Sequence, residues 1–75
     1  MYYIIEIQQY KDGTYGHLVH WAETRNQGES KYYEVLAAAA VSDLPSHSAT
    51  LIDSEGIAWM SKCYKHEQQP EEASE

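Results

Sequence analysis

Apolar positions cluster in four short runs and one longer one. Tyr2 to Gln9 is rich in Ile and Tyr, and Tyr15 to Ala22 carries Leu, Val and Trp, with Lys11-Asp12-Gly13 between them. Two β-type runs around an Asp-Gly predict a hairpin. The plan repeats near the other end, where Ala49 to Ile52 and Ile57 to Tyr64 flank Asp53-Ser54-Glu55-Gly56. Each turn has Gly as its last residue, as a type I turn closed by a left-handed residue requires. Between the hairpins, Asn26 to Ser42 predicts one helix. Asn26 with Glu29 three residues on matches a capping box, and Tyr33, Leu36, Ala37, Ala40 and Leu44 recur at spacings of three and four as one apolar stripe. Asp43-Leu44-Pro45 ends it, since proline biases the preceding residue away from helix.

Turn type sets register, and register decides which side chains share a face. A Lys11-Asp12-Gly13 loop pairs Tyr10 with Thr14 and places Tyr3, Ile5 and Ile7 opposite Trp21, Val19 and His17. That face is nearly all apolar, whereas the other carries Ile4, Glu6, Gln8, Gly16, Leu18 and His20. A two-residue Asp12-Gly13 turn would expose the Trp, so the longer loop is preferred and the Trp face is expected beneath the helix. In the second hairpin a Ser54-Glu55-Gly56 loop pairs Leu51 with Trp59 and Ala49 with Ser61 on one face. Ile52, Ala58, Thr50, Met60 and Tyr64 fall on the other.

The expected fold is α+β, a ββαββ chain in which one helix covers one face of a four-stranded, mostly antiparallel sheet. It forms a single domain over residues 1–66. From Glu67 onward little can be buried, and 67–75 is expected to be a disordered acidic tail. In its order of elements the chain resembles the β-grasp architecture of ubiquitin-like domains and small bacterial immunoglobulin-binding domains. That resemblance implies first and last strands lying parallel at the sheet centre. It is topological: no functional motif matches, and the di-glycine tail of ubiquitin-like modifiers is absent. Gly16-His17-Leu18-Val19-His20 and the stretch Tyr32-Tyr33-Glu34-Val35-Leu36-Ala37-Ala38-Ala39-Ala40-Val41 are similar to short hypothetical proteins of bacterial genomes and mobile elements. This likeness implies a bacterial origin and no activity.

Size and charge narrow the functions. A 75-residue chain that is 43% apolar has room for one thin core, and chains this short bury only about 60% of their unfolded surface. Twelve acidic residues face five basic ones, net −7, and four of the acids lie after His66. Lys11, Arg25, Lys31, Lys62 and Lys65 form no run or stripe, which argues against nucleic-acid binding. The apolar stretch from Val35 to Val41 is far below the roughly 18 residues that span a bilayer. The N-terminus lacks the look of a secretory signal, and the lone Cys63 excludes an internal disulfide. A cytoplasmic location is expected.

His17-x-x-His20 and Cys63-x-x-His66 have the look of ligand pairs, but residues three apart on a strand point to opposite faces. His17 and Cys63 could share the helix-covered face, yet two ligands make no site. Half-buried core roles are expected, with no metal and no cofactor. Ser46-His47-Ser48 near Asp43 is the only cluster holding the residue types of a triad, and it reads as a loop whose residues hydrogen-bond their own backbone. No catalytic residue is assigned and no enzyme is expected. Ile4, Leu18, His20, Ile52, Met60 and Tyr64 would make a contiguous patch on the uncovered sheet face, which monomers seldom leave wet. The expected function is therefore a non-enzymatic interaction protein that self-associates through that face, most simply as a dimer, with an unidentified protein as a further possible partner. The alternative is an acidic inhibitor or nucleic-acid mimic.

Overall fold

In the computed structural model, which describes residues 1–67, the chain runs β1 (Tyr2–Gln9), β2 (Tyr15–Ala22), α1 (Arg25–Ala40), β3 (Ser46–Asp53) and β4 (Ala58–Lys65). The domain is α+β, with one helix on a four-stranded antiparallel sheet. The tail expected to be disordered falls, beyond Glu67, outside the described residues. Both turns form as their glycines require. Gly13 N–H donates to Tyr10 O at 2.9 Å and Gly56 N–H to Asp53 O at 3.0 Å, with φ of 92° and 86°. Only glycine takes that conformation without a side-chain penalty.

The first hairpin has the expected register, Ile7 opposite His17, Ile5 opposite Val19 and Tyr3 opposite Trp21. The second has the expected loop but departs from the expected pairs after one step. Ile52 faces Ala58, and Leu51 then faces Met60, so Trp59 is the extra residue of a β-bulge. Leu51–Trp59 and Ala49–Ser61 are replaced by Leu51–Met60 and Ala49–Lys62. Two contacts hold the bulged residue: Trp59 Nε1 donates to Asp53 Oδ2 at 3.2 Å, and the Arg25 guanidinium lies 4.3 Å from the Trp59 ring centroid.

The sheet order is β2-β1-β3-β4, and the central pair β1–β3 is antiparallel. The parallel pairing of first and last strands implied by the β-grasp likeness does not occur. The charge on β4 explains its place. Lys62 and Lys65 suit an edge, where their stems can reach water, whereas β3 reads SHSATLID and buries His47, Ala49 and Leu51. The helix starts beside the Tyr2–Ala22 end, and its 16 residues, at about 1.5 Å each, carry the chain back across the sheet. β3 therefore enters beside Gln9, opposite in direction to β1.

The helix lies on the other face from the one expected. Ile4 and Leu51 are fully buried, with Ala49, Tyr32 and Val35 around them and Tyr2, Leu36 and Met60 packed alongside, while Trp21 is 62% exposed. Of the six expected interface residues, Ile4, Leu18, His20, Met60 and Tyr64 share the helix side, and Ile52 alone is on the helix-free side. The expectation turned on exposing Glu6 and Gln8. Instead the helix-side face supplies partners for both, and the small Ala49 packs in one cluster with Tyr32, Val35, Ile4 and Leu51.

The helix stripe is displaced too. Gly28, Tyr32, Val35 and Ala39 are buried. Of the expected stripe, Tyr33, Leu36, Ala37 and Ala40 line a shallow groove of about 240 Å³ against Tyr64. Gly28 permits the close approach, since a Cβ there would stand 3.1 Å from Leu51 Cδ1 and 3.3 Å from Tyr2 Cβ. The N-cap is Thr24, whose side chain accepts from Gln27 N–H at 3.2 Å. Asn26 is inside the helix, and Glu29 pairs with Arg25 at 2.7 Å.

Candidate functional site

The most unusual side chains lie under the helix. Glu6 on central strand β1 is 8% exposed and His47 on β3 is 4% exposed, with 2.6 Å between Glu6 Oε2 and His47 Nε2. Gln8 Nε2 donates to the same oxygen at 3.3 Å, and His20 Nε2 on β2 is 3.5 Å from Oε1. The cluster thus spans three strands. A buried carboxylate needs such partners, since an unpaired charge in a dry interior is strongly unfavourable. Alternation brings them together: Glu6, Gln8, His20 and His47 share one face of the sheet. Tyr10 extends the chain of bonds, its hydroxyl donating to Gln8 Oε1 at 3.2 Å as its ring crosses Gly16.

This arrangement resembles half of a catalytic relay, a base held by a carboxylate, but the other half is not in place. His47 Nδ1 is buried and has no hydrogen-bond partner among the described residues. Ser46 and Ser48, its neighbours in sequence, are on the opposite side of β3, because the expected loop is strand. Ser46 Oγ lies 3.3 Å from Cys63 Sγ, and Asp43 Oδ2 is paired with Lys11 Nζ at 3.3 Å. What the cluster can do is lock three strands in register.

The candidate ligand pairs divide as the strand period dictates. His17 is on the helix-free side and His20 on the helix side. Cys63 reaches Ser46, whereas His66 Nε2 lies 2.8 Å from Ala39 O at the helix C-terminus. His17 and Cys63 do share a face, but it is the helix-free one, and they stand on the two edge strands with β1 and β3 between them. Among the described residues no group of three or more His, Cys, Asp or Glu is placed to hold a metal ion.

The helix-free face is the other candidate. Tyr3, Ile5 and Ile7 of β1, Tyr15, Val19 and Trp21 of β2, and Ile52 of β3 form its apolar part, with Ser48, Thr50, Ser61 and Cys63 beside them. Among the described residues no strand position on it is acidic. The carboxylates of the described body are elsewhere. Glu6 is under the helix, Asp12, Asp53 and Glu55 are in or beside the turns, Glu23 follows the end of β2, Asp43 pairs with Lys11, and Glu29 and Glu34 pair with Arg25 and Lys31 on the helix. Hydrogen bonds hold the turn carboxyls below their ordinary value. For Asp12 the Thr14 hydroxyl is the main cause, and for Asp53 the Ile57 amide is.

A groove of about 690 Å³ follows the outer edge of β2, lined by Val19 to Glu23 with Gln27 and Lys31 of the helix. Among the described residues no helix is long and apolar enough to cross a membrane. Comparison with protein-family models, curated proteins and solved structures returns no match to this chain.

Proposed function

We propose that this chain is a small non-enzymatic interaction protein that self-associates through its helix-free sheet face. One observation carries the reading: the apolar face of a chain with net charge −7 has no carboxylate on any of its strands. Two such faces can stack about 10 Å apart, each covering the other's aromatic and branched side chains without carboxylate facing carboxylate. A two-fold axis makes one patch its own partner. The residues that carry it are Tyr3, Ile5, Ile7, Val19, Trp21 and Ile52. A reducing, cytoplasmic setting suits an exposed thiol such as Cys63.

A nucleic-acid mimic needs fixed, unneutralised carboxylates arrayed on the folded body. Here Glu6 is buried and Glu29, Glu34 and Asp43 each face a base, so that alternative has less support.

The test is sedimentation velocity on the full chain at micromolar concentration. Ile5→Lys sets an ammonium in the middle of the face, where a monomer can lead it to water but an interface cannot. The variant is expected to stay folded and to lose face-to-face association. Unchanged association by Ile5→Lys overturns the proposal.

A further inference from the structure

We infer that the free edge of β2 pairs with β2 of a second copy, joining two four-stranded sheets into one of eight strands. This goes beyond the face-to-face reading and uses a different surface.

The two edges of the sheet are unlike. β4 has the usual protections of an edge, a bulge at Trp59 and lysines at 62 and 65. β2, with the sequence YGHLVHWA, has neither a charged residue nor a proline, and it pairs with β1 through eight consecutive residues without irregularity. Its side chains are also exposed on both faces: Leu18 is 52% exposed on the helix side and Val19 55% on the other. A flat, uncharged, apolar edge is a template for another strand. The groove beside it shows that the helix leaves this margin uncovered.

Backbone geometry fixes the register such a pair adopts. Tyr10 N–H donates to Thr14 O at 2.7 Å. By alternation, Gly16, Leu18, His20 and Ala22 direct their backbone groups to β1, and Tyr15, His17, Val19 and Trp21 direct theirs outward. An antiparallel partner must therefore match odd positions with odd. Centring the two-fold on Leu18 sets Tyr15 against Trp21, His17 against Val19 and Gly16 against His20 of the second copy. It brings the two Leu18 side chains together and excludes Glu23. Aromatic and apolar cross-strand pairs of this kind are stabilising, and no like charges meet.

Charge and area favour a copy of this chain as the occupant. A chain of net charge −7 repels itself through surfaces that bear carboxylates, and β2 bears none. Four strands about 4.8 Å apart and about 26 Å long present on the order of 500 Å² per copy, so face stacking alone buries about 1,000 Å². That lies below the usual range of stable interfaces, about 1,200 to 2,000 Å². Joining the β2 edges doubles the continuous face, and two eight-stranded sheets then stack as a tetramer.

Two measurements test this on the full chain. In a Cys63→Ser background, Leu18→Cys is expected to give a disulfide-linked dimer under mild oxidation, because directly opposed Cα atoms of a non-hydrogen-bonded pair lie about 4.5 Å apart. Lys62→Cys on the other edge should stay monomeric on the same gel. Equal cross-linking of the two, or none of Leu18→Cys, overturns the inference. By sedimentation, Leu18→Lys places like charges across the axis without touching the helix-free face. It should reduce the tetramer to a face-stacked dimer, and Ile5→Lys to an edge-paired dimer that still cross-links through position 18. If Leu18→Lys leaves the assembly unchanged while Ile5→Lys dissociates it, the edge pairing is wrong and the face reading stands. The reverse pattern keeps the edge and rejects the face.

Discussion

Replacing Ile4 and Trp21 in turn discriminates between the two faces of the sheet, because size and burial rank them in opposite orders. Trp21 is much the larger side chain, and a fold with the helix over it would lose about 3 to 5 kcal/mol on truncation to Ala. In this structure it is 62% exposed. Residual burial of about a third of a side chain of about 250 Å², at about 25 cal/mol per Å², gives an upper value near 2 kcal/mol for Trp21→Ala. Ile4 is 0% exposed and belongs to the main core cluster. Removing three of its carbons leaves a cavity under the helix and should cost about 4 kcal/mol, within the general range for Ile→Ala. That is about the whole core contribution available to so small a domain. Ile4→Ala is thus expected to be largely unfolded, and Ile4→Val, at about 1 kcal/mol, to melt about 4 to 8 °C lower. Trp21→Ala should retain a cooperative transition. The assay is urea and thermal unfolding by far-UV circular dichroism, at concentrations low enough that association contributes nothing. A Trp21→Ala variant as unstable as Ile4→Ala, or an Ile4→Ala variant with a near-native melt, refutes the face assignment.

Other perturbations probe particular contacts. Gly28→Ala gains about 1 kcal/mol of helix propensity but pushes a methyl against Leu51 and Tyr2, and overpacking costs about 1 to 3 kcal/mol, so the melt should fall by several degrees. A rise would show that the helix can lift off the sheet freely. Glu6→Ala removes the 2.6 Å partner of His47 Nε2, leaving it only Gln8 Nε2 at 3.4 Å, and should cost about 3 kcal/mol, whereas Glu6→Leu combined with His47→Phe should return most of it. Additive losses in that double-mutant cycle by urea unfolding would mean that the pair is not coupled. Asp12 and Asp53 have folded pKa values below the ordinary 3.8. Their contribution is therefore present in full above about pH 4 and is lost as pH falls through the depressed values. Asp53→Asn should flatten the acid limb of stability against pH, and an unaltered limb would refute this.

How much of this was legible follows from which signals are local. Both turns were, because Asp-Gly and Glu-Gly place the one permissive residue where the backbone turns left-handed, and the loop then dictates the first register. The second register was not, because the bulge at Trp59 depends on Asp53 and on Arg25 arriving from the helix. The sheet order was hidden for a related reason. Element order alone cannot distinguish β3 from β4 as the neighbour of β1, although the lysines on β4 were a usable signal that it belonged at an edge.

The choice of face turned on a rule of thumb, that Trp goes inside and Glu outside. Burial of a charge is decided by its partners, and besides Gln8 those of Glu6 lie 14 and 41 residues away at His20 and His47. One signal was within reach. The run of even positions Tyr2, Ile4, Glu6 and Gln8 faces His47, Ala49 and Leu51 if β3 begins at Ser46, and the odd run then faces Ser48 and Thr50. Reading Ser46-His47-Ser48 as a loop removed the residue that satisfies Glu6. Without His47 the even face held an unpaired acid, and the opposite face became the natural place for the helix. Ile4 and Met60, expected on the uncovered face, pack with the core, and Val19 and Trp21, expected beneath the helix, are exposed.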